Sequence, residues 1–290
     1  MRKIGFFFFV FFEKLISVLP FSFLYILSDF IYIVLFYVVK YRKEVILKNL
    51  KNSFPDKTIL EISKLHKNYM KIMADLIVES VKSSHMSEME ILSRFEIKNP
   101  ELIDELFKKR KSLFLACGHT GSWELSAMII PLITKYKVFA IYQPQTNPYF
   151  DTYIKKIRST FGLNLITSQQ AYRKFIECKN ELTLNFILAD QSPSKDGDNH
   201  WTTFLNQETA FFTGLEKMSK SLDFAVVFLR IIRKQRGKYI IEFELLTDKP
   251  KETKKGEISE MYVLALEKLI HQYPDNWLWS HRRWKHKRIN

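Results

Sequence analysis

Residues 4 to 39 constrain this chain more than any other stretch, because they are almost wholly apolar. Ile4 to Phe12 and Leu15 to Val39 form two runs, interrupted mainly by Glu13, Lys14, Pro20 and Asp29. Few soluble cores need so long an apolar segment. The first run is followed by Glu13-Lys14 and no small-residue cleavage site, so a secretory signal peptide does not fit. Leu15 to Val39 is long enough to cross a bilayer core of about 30 Å. Asp29 near its middle would cost about 2.5–3.5 kcal/mol there. Pro20 would bend the helix or make it re-enter. Arg2 and Lys3 precede the segment, and Lys40, Arg42 and Lys43 follow it. Charge therefore sets no single crossing direction. The expectation is a membrane-associated anchor over residues 1–43, spanning or lying in one leaflet, ahead of a domain over residues 44–290.

The whole chain of 290 residues is 47% hydrophobic, enough for one sizeable core or two small ones. That apolar fraction excludes disorder. The net charge of +14 calls for an acidic partner or surface, and nucleic acid and anionic membrane are the usual candidates. Cys117 and Cys178 lie in separate segments. They form neither a disulfide framework nor a metal-ligand spacing, which fits a reducing compartment.

Beyond the anchor, Thr58 to Lys82 has helical spacing, capped by Asp56 or Thr58. Glu88–Phe95 and Pro100–Lys111 are expected helices. Strands are expected at Ser112–Cys117, Lys137–Tyr142, Leu163–Ile166 and Leu182–Leu188. Helices should lie between them, from Leu125, at Pro148–Phe161 and at Gln169–Cys178. This alternation predicts an α/β fold with a mostly parallel central sheet flanked by helices. Asp190 to Thr203, with Lys195, Asp196, Asp198 and His200, reads as a polar loop, with His200 and Trp201 at its edge as a lid candidate. Strands at Phe224–Ile232 and Tyr239–Leu245 and helices at Thr213–Ser221 and Glu257–Tyr273 complete the expectation.

The first expected strand ends in Cys117-Gly118-His119-Thr120-Gly121-Ser122-Trp123-Glu124. His119 would then sit on a strand-to-helix loop, with Ser122 as helix cap and Glu124 in the first helical turn. Such loops hold reactive groups in position without burying them. A histidine near neutrality can take a proton from an alcohol, provided a carboxylate fixes its tautomer and steadies the imidazolium. Glu124 is the nearest candidate in sequence. The structural alternative is that His119 ends the strand and Glu124 favours the helix dipole. No Gly-x-Ser-x-Gly elbow supports a serine nucleophile, and no His-Glu-x-x-His helix supports zinc. Cys117 lies inside the apolar strand, where a thiol is usually inert.

Histidine followed five residues on by an acid, after a strand, resembles the signature of membrane acyltransferases that acylate lipid hydroxyls. The wider chain resembles the late (secondary) acyltransferases of lipid A biosynthesis. The likeness includes the apolar N-terminus, Asn49-Leu50 with Phe54-Pro55, and Gly118-His119 with Glu124. It continues through Asn147-Pro148, Arg158, Gly162, Asp190-Gln191, Phe204, Ala210 and Gly214. It ends at Trp277-Leu278-Trp279-Ser280-His281-Arg282-Arg283-Trp284-Lys285. Where the family often has two phenylalanines and a glycine, this chain has Phe204-Leu205-Asn206. The resemblance implies a glycerolipid-acyltransferase-like fold with residues 44–290 as the catalytic domain. It implies transfer of an acyl chain from acyl carrier protein to a hydroxyl of a lipid A precursor, a phosphorylated glycolipid. His119 would be the general base and Glu124 its orienter. Arg158 would face the donor carbonyl or a phosphate, and Asp190 would shape the site. No cofactor or metal is expected, since the thioester is already activated. The implied location is the cytoplasmic face of the inner membrane. Two alternatives carry forward. One is another lipid acceptor, such as an amino-acid lipid, a pigment or a glycosylated phospholipid. The other is a membrane-tethered nucleic-acid-binding protein that uses the aromatic and basic tail.

Overall fold

The computed structural model describes residues 2–178, 180–195 and 197–288. Asp196 of the expected polar loop lies outside them. In chain order the elements are α1 (Arg2–Ser17), α2 (Phe21–Ile33), α3 (Lys43–Ser53), α4 (Ile59–Lys82), α5 (Glu88–Leu92), β1 (Phe95–Ile97), α6 (Glu101–Lys108), β2 (Leu113–Cys117), α7 (Trp123–Ile133), β3 (Lys137–Tyr142), α8 (Pro148–Arg158), β4 (Asn164–Thr167), α9 (Ser168–Glu177), β5 (Thr183–Leu188), β6 (Asn199–Phe204), β7 (Gln207–Phe212), α10 (Gly214–Leu222), β8 (Ala225–Gln235), β9 (Lys238–Thr247) and α11 (Glu257–Gln272).

Seven strands form one sheet in the order β1-β9-β8-β2-β5-β3-β4. All neighbours are parallel except the β8–β9 hairpin. The expected α/β architecture with a mostly parallel sheet is the one observed. β2 lies at the centre, and all five of its residues are buried. Its side chains alternate between faces. Phe114 and Ala116 join the core under α9 and α11, while Leu113, Leu115 and Cys117 join the core under α6 and α7. A strand covered on both faces reads as a continuous apolar run, and that is why the sequence marked this one.

Three local expectations change. Glu88–Phe95 is a shorter helix, and Phe95 instead opens the edge strand β1, drawn into parallel pairing with Tyr239 of β9. The polar loop ends at Asn199, where a two-stranded antiparallel hairpin, β6–β7, begins. Its turn residues Leu205 and Asn206 both have left-handed backbones, φ 49° and 61°. A two-residue hairpin turn of this hand demands positive φ at both central positions, which leucine adopts only under strain. The third change is at Ser122, which occupies the cap position of α7 without making a side-chain cap hydrogen bond. Thr58, by contrast, forms a full capping box with Glu61 at the start of α4.

The N-terminal segment is two helices. Pro20 opens α2 rather than kinking a continuous rod. Phe21–Val38, which ends in a π-helical turn, is long and apolar enough to cross a membrane, with mean hydropathy 2.0. Its Leu24, Ser28 and Tyr32, one helical turn apart, are buried on the side that faces α4. Ser28 donates to buried Asp75 of α4 (2.5 Å), and Asp29 is paired with Arg236 (2.7 Å). The acid that interrupts this apolar run thus has a charged partner within the protein. Phe23, Ile26, Phe30 and Ile33 point outward and are exposed.

Asp75 is the knot of this joint. It accepts from Arg233 (2.5 Å) and Arg236 (2.8 Å) as well as Ser28. Removing one partner of a buried pair strands the other charge. Asp75→Ala should lower unfolding stability by about 3–5 kcal/mol, measured by chemical denaturation in detergent. A loss below about 1 kcal/mol would show that the joint does not hold α2 to the body.

Candidate active site

The carboxyl ends of β2, β5 and β3 lie side by side and open onto one cavity of about 310 Å³. Clefts outside the carboxyl ends of parallel strands are where α/β proteins gather ligands. The cavity is lined by His119, Trp123, Glu124, Tyr142, Gln143 and Arg158, among others. All of the sequence-predicted site residues except Asp190 therefore face it. Asp190 lies directly behind His119.

Strand register explains that placement. Cys117 of β2 pairs with Leu188 of β5 in parallel. His119 and Asp190 each stand two residues further on, so they emerge together. His119 Nδ1 meets Asp190 Oδ1 at 2.6 Å, and the His119 backbone N–H donates to Asp190 Oδ2 at 2.8 Å. Trp277 Nε1 donates to the same Oδ2 at 2.7 Å. The approach is so close that a Cβ on Gly118 would lie 2.5 Å from Leu266 Cδ1 and 3.3 Å from Asp190 Oδ2. Only glycine fits there. Gly121 closes the loop with φ +52° against Ile231.

The expected His119–Glu124 pairing is not the one that forms. Glu124, in the first turn of α7, reaches α8 instead. Arg158 Nε donates to its Oε2 at 2.9 Å and Nη2 to its Oε1 at 2.6 Å. This fork-to-fork geometry is the strongest arrangement open to the two groups. Sequence proximity pointed to Glu124, whereas sheet register delivers Asp190 from 71 residues away. Glu124 acts on the imidazole only through its charge.

The tautomer follows from the contacts. With Nδ1–H donating to Asp190, Nε2 carries the free lone pair and faces the cavity. Gln191 Nε2 sits 3.2 Å from it. Burial works against a charged imidazole, but the charge and hydrogen bond of Asp190, with Glu124's charge, outweigh it and raise His119 above its ordinary value. Burial likewise opposes a charged Asp190. The His119 charge and hydrogen bonds, with the Trp277 donor, overcome it and bring the carboxyl down to about 2. Cys117 is fully buried, and desolvation followed by Asp190's charge pushes its thiol well up, so it is no nucleophile.

Sequence reasoning missed Trp277 and Gln191 as parts of the site. The tail that carries Trp277 is not an exposed stacking surface. Trp277, Trp279 and Arg283 are buried. Asn49 donates to the carbonyls of Trp279 and His281, both at 2.9 Å, and Phe54 packs on Trp279. Arg283 lies over the Phe211 ring and donates to the Ala210 carbonyl. The nucleic-acid reading loses its aromatic platform in this packing. Among the described residues, no group of three or more His, Cys, Asp or Glu gathers as a metal site.

A family model for bacterial lipid A biosynthesis acyltransferases matches residues 1–286. The chain belongs to that family. It is an acyltransferase of the lipid A biosynthesis type, acting on a lipid acceptor, from a family associated with membranes in bacteria. No curated protein matches the chain.

The paired shifts fix a pH signature. A raised imidazole stabilises the fold below about pH 6.5 and loses that contribution as pH rises through its folded value. A lowered carboxyl contributes above about pH 3.9 and loses its contribution as pH falls toward 2. Both are full between about pH 4 and 6.5. Asp190→Asn should lower the pH at which His119 titrates, read by NMR of the imidazole. It should also cut the transfer rate by about 10²–10⁴-fold. An unmoved His119 titration would overturn the pairing.

Proposed function

We propose that this acyltransferase moves a fatty acyl chain from an acyl carrier protein thioester to a hydroxyl of a lipid A precursor, with His119 as general base. One observation carries the reading. The imidazole has one nitrogen fixed by a buried carboxylate, and its other nitrogen, beside Gln191, stands at a cavity at the strand ends.

His119 Nε2 removes the proton as the acceptor oxygen attacks the thioester carbonyl carbon. The tetrahedral intermediate collapses, the C–S bond breaks, and the departing thiolate takes the proton back from the imidazolium. Asp190 orients the ring and stabilises its transient charge. Gln191 yields Nε2 to the incoming hydroxyl. Arg158 is held rigid by Glu124, and that pair uses two of its five N–H bonds. The remainder suit a phosphate or the developing oxyanion. The thioester is activated, so the reaction needs no cofactor.

An apolar cavity of about 320 Å³, lined by Phe9, Met128, Ile154 and Ile157, shares the walls Trp123, Glu124 and Arg158 with the polar one. It is the place for the acyl chain. The net charge of +14 suits an acidic carrier and a phosphorylated lipid. The exposed apolar face of α1 and α2, with Phe8, Phe11, Phe23, Ile26 and Phe30, suits embedding in the cytoplasmic leaflet of the inner membrane.

His119→Ala in purified enzyme should abolish transfer from acyl-carrier thioester to the lipid, followed by mass spectrometry of the product. Retained activity would sink the general-base role. Total lipids of a deletion strain distinguish the acceptors. A lipid A one chain short supports the proposal. Intact lipid A beside another lipid short of a chain assigns the enzyme to that lipid instead.

A further inference from the structure

Along α8 the apolar cavity runs from Arg158, which it shares with the polar cavity, past Ile157 and Ile154 to Tyr153. Glu13 is the acid that interrupts the N-terminal apolar runs, and it is only 4% exposed. It lines the cavity beside Phe9, Val81, Met128, Ile154 and Ile157. Tyr153 of α8 donates its hydroxyl to Glu13 Oε2 at 2.6 Å, and Ser84 donates to Oε1. Phe6 and Phe9 pack on Phe150, with ring centroids 5.3 and 4.9 Å apart, and clamp α1 against α8 beside this contact. A leucine would serve the packing of an apolar helix better. A buried carboxylate is costly to keep unless its hydrogen bonds are kept.

We propose that Glu13, held by Tyr153 and Ser84, is the polar stop that sets the longest acyl chain the cavity accepts. This rests on the reading that the cavity takes the donor's chain. Glu13 is already out of water and depends on its two hydroxyl contacts, so a terminal methyl driven onto it would have to displace them. Chains that end short of it lie wholly against carbon. At about 30 Å³ per carbon-sized group, taken as for a water molecule, a cavity of about 320 Å³ holds on the order of ten of them.

The test is the chain-length profile of transfer, with acyl-carrier thioesters of graded length and the lipid acceptor. Wild type should show a sharp upper limit. Glu13→Ala, which opens space and removes the charge, should favour chains about two carbons longer. The kcat/KM ratio of the longer to the formerly preferred chain should rise about tenfold or more. Ile154→Phe, which fills the cavity on α8 between Tyr153 and Arg158, should shorten the limit, and it remains informative if Glu13→Ala does not fold. An active Glu13→Ala with an unshifted profile overturns the inference, as does an unshifted Ile154→Phe. Failure of wild type to transfer any thioester-borne chain would instead overturn the donor reading on which the inference stands.

Discussion

Asp190 is the constraint on which the catalytic geometry depends. It is a carboxylate taken entirely out of water, and such a group persists only where its lone pairs are filled. Three donors fill them: the His119 ring, the His119 backbone N–H and the Trp277 indole. They come from two consequences of the fold. The ring and backbone contacts need β2 and β5 adjacent and in register. The indole needs the C-terminal tail folded back over the strand ends. Loss of any one leaves buried charge uncompensated, so the site and the tertiary structure stabilise each other.

The tail shows how far that dependence reaches. Asn49 of α3 holds the Trp279 and His281 carbonyls, and Tyr69 of α4 holds Ser280 through both its hydroxyl and its backbone N–H. Gly121 donates to the Asn276 carbonyl, and Thr120 bridges Trp277. Residues that the sequence set side by side only by family resemblance thus form one mechanical path. It runs from α3, through the tail, to the carboxylate behind His119.

What the sequence made legible is what local periodicity encodes. β3 falls at Lys137–Tyr142 as expected, and the apolar run before Gly118 is the central strand. His119 stood out because a polar ring right after a buried strand is conspicuous. Its partner did not, because the pairing depends on parallel register across a long crossover, and no short-range pattern records that. Glu124 drew attention by being close in sequence, yet α7 turns its carboxylate toward Arg158. β1 and β6 were missed for a related reason. Phe95 and His200 become strand residues only through partners elsewhere in the chain, Tyr239 and Phe211.

The two N-terminal helices turn polar contacts inward and an apolar face outward. α2 is tied to α4 by Ser28–Asp75 and to the β8–β9 turn by Asp29–Arg236, so its polar atoms are spent inward and its phenylalanines are left outward. α1 does the same on a smaller scale, turning Glu13 in against Tyr153 while Phe8, Phe11 and Phe12 face out. An apolar surface of this size stays soluble only when something covers it. A cover over the outer face of α1 would also lie against the apolar cavity, whose wall includes Phe9 and Glu13. The N-terminal helices and the cavity are therefore continuous, because Phe9 and Glu13 of α1 are part of the cavity wall.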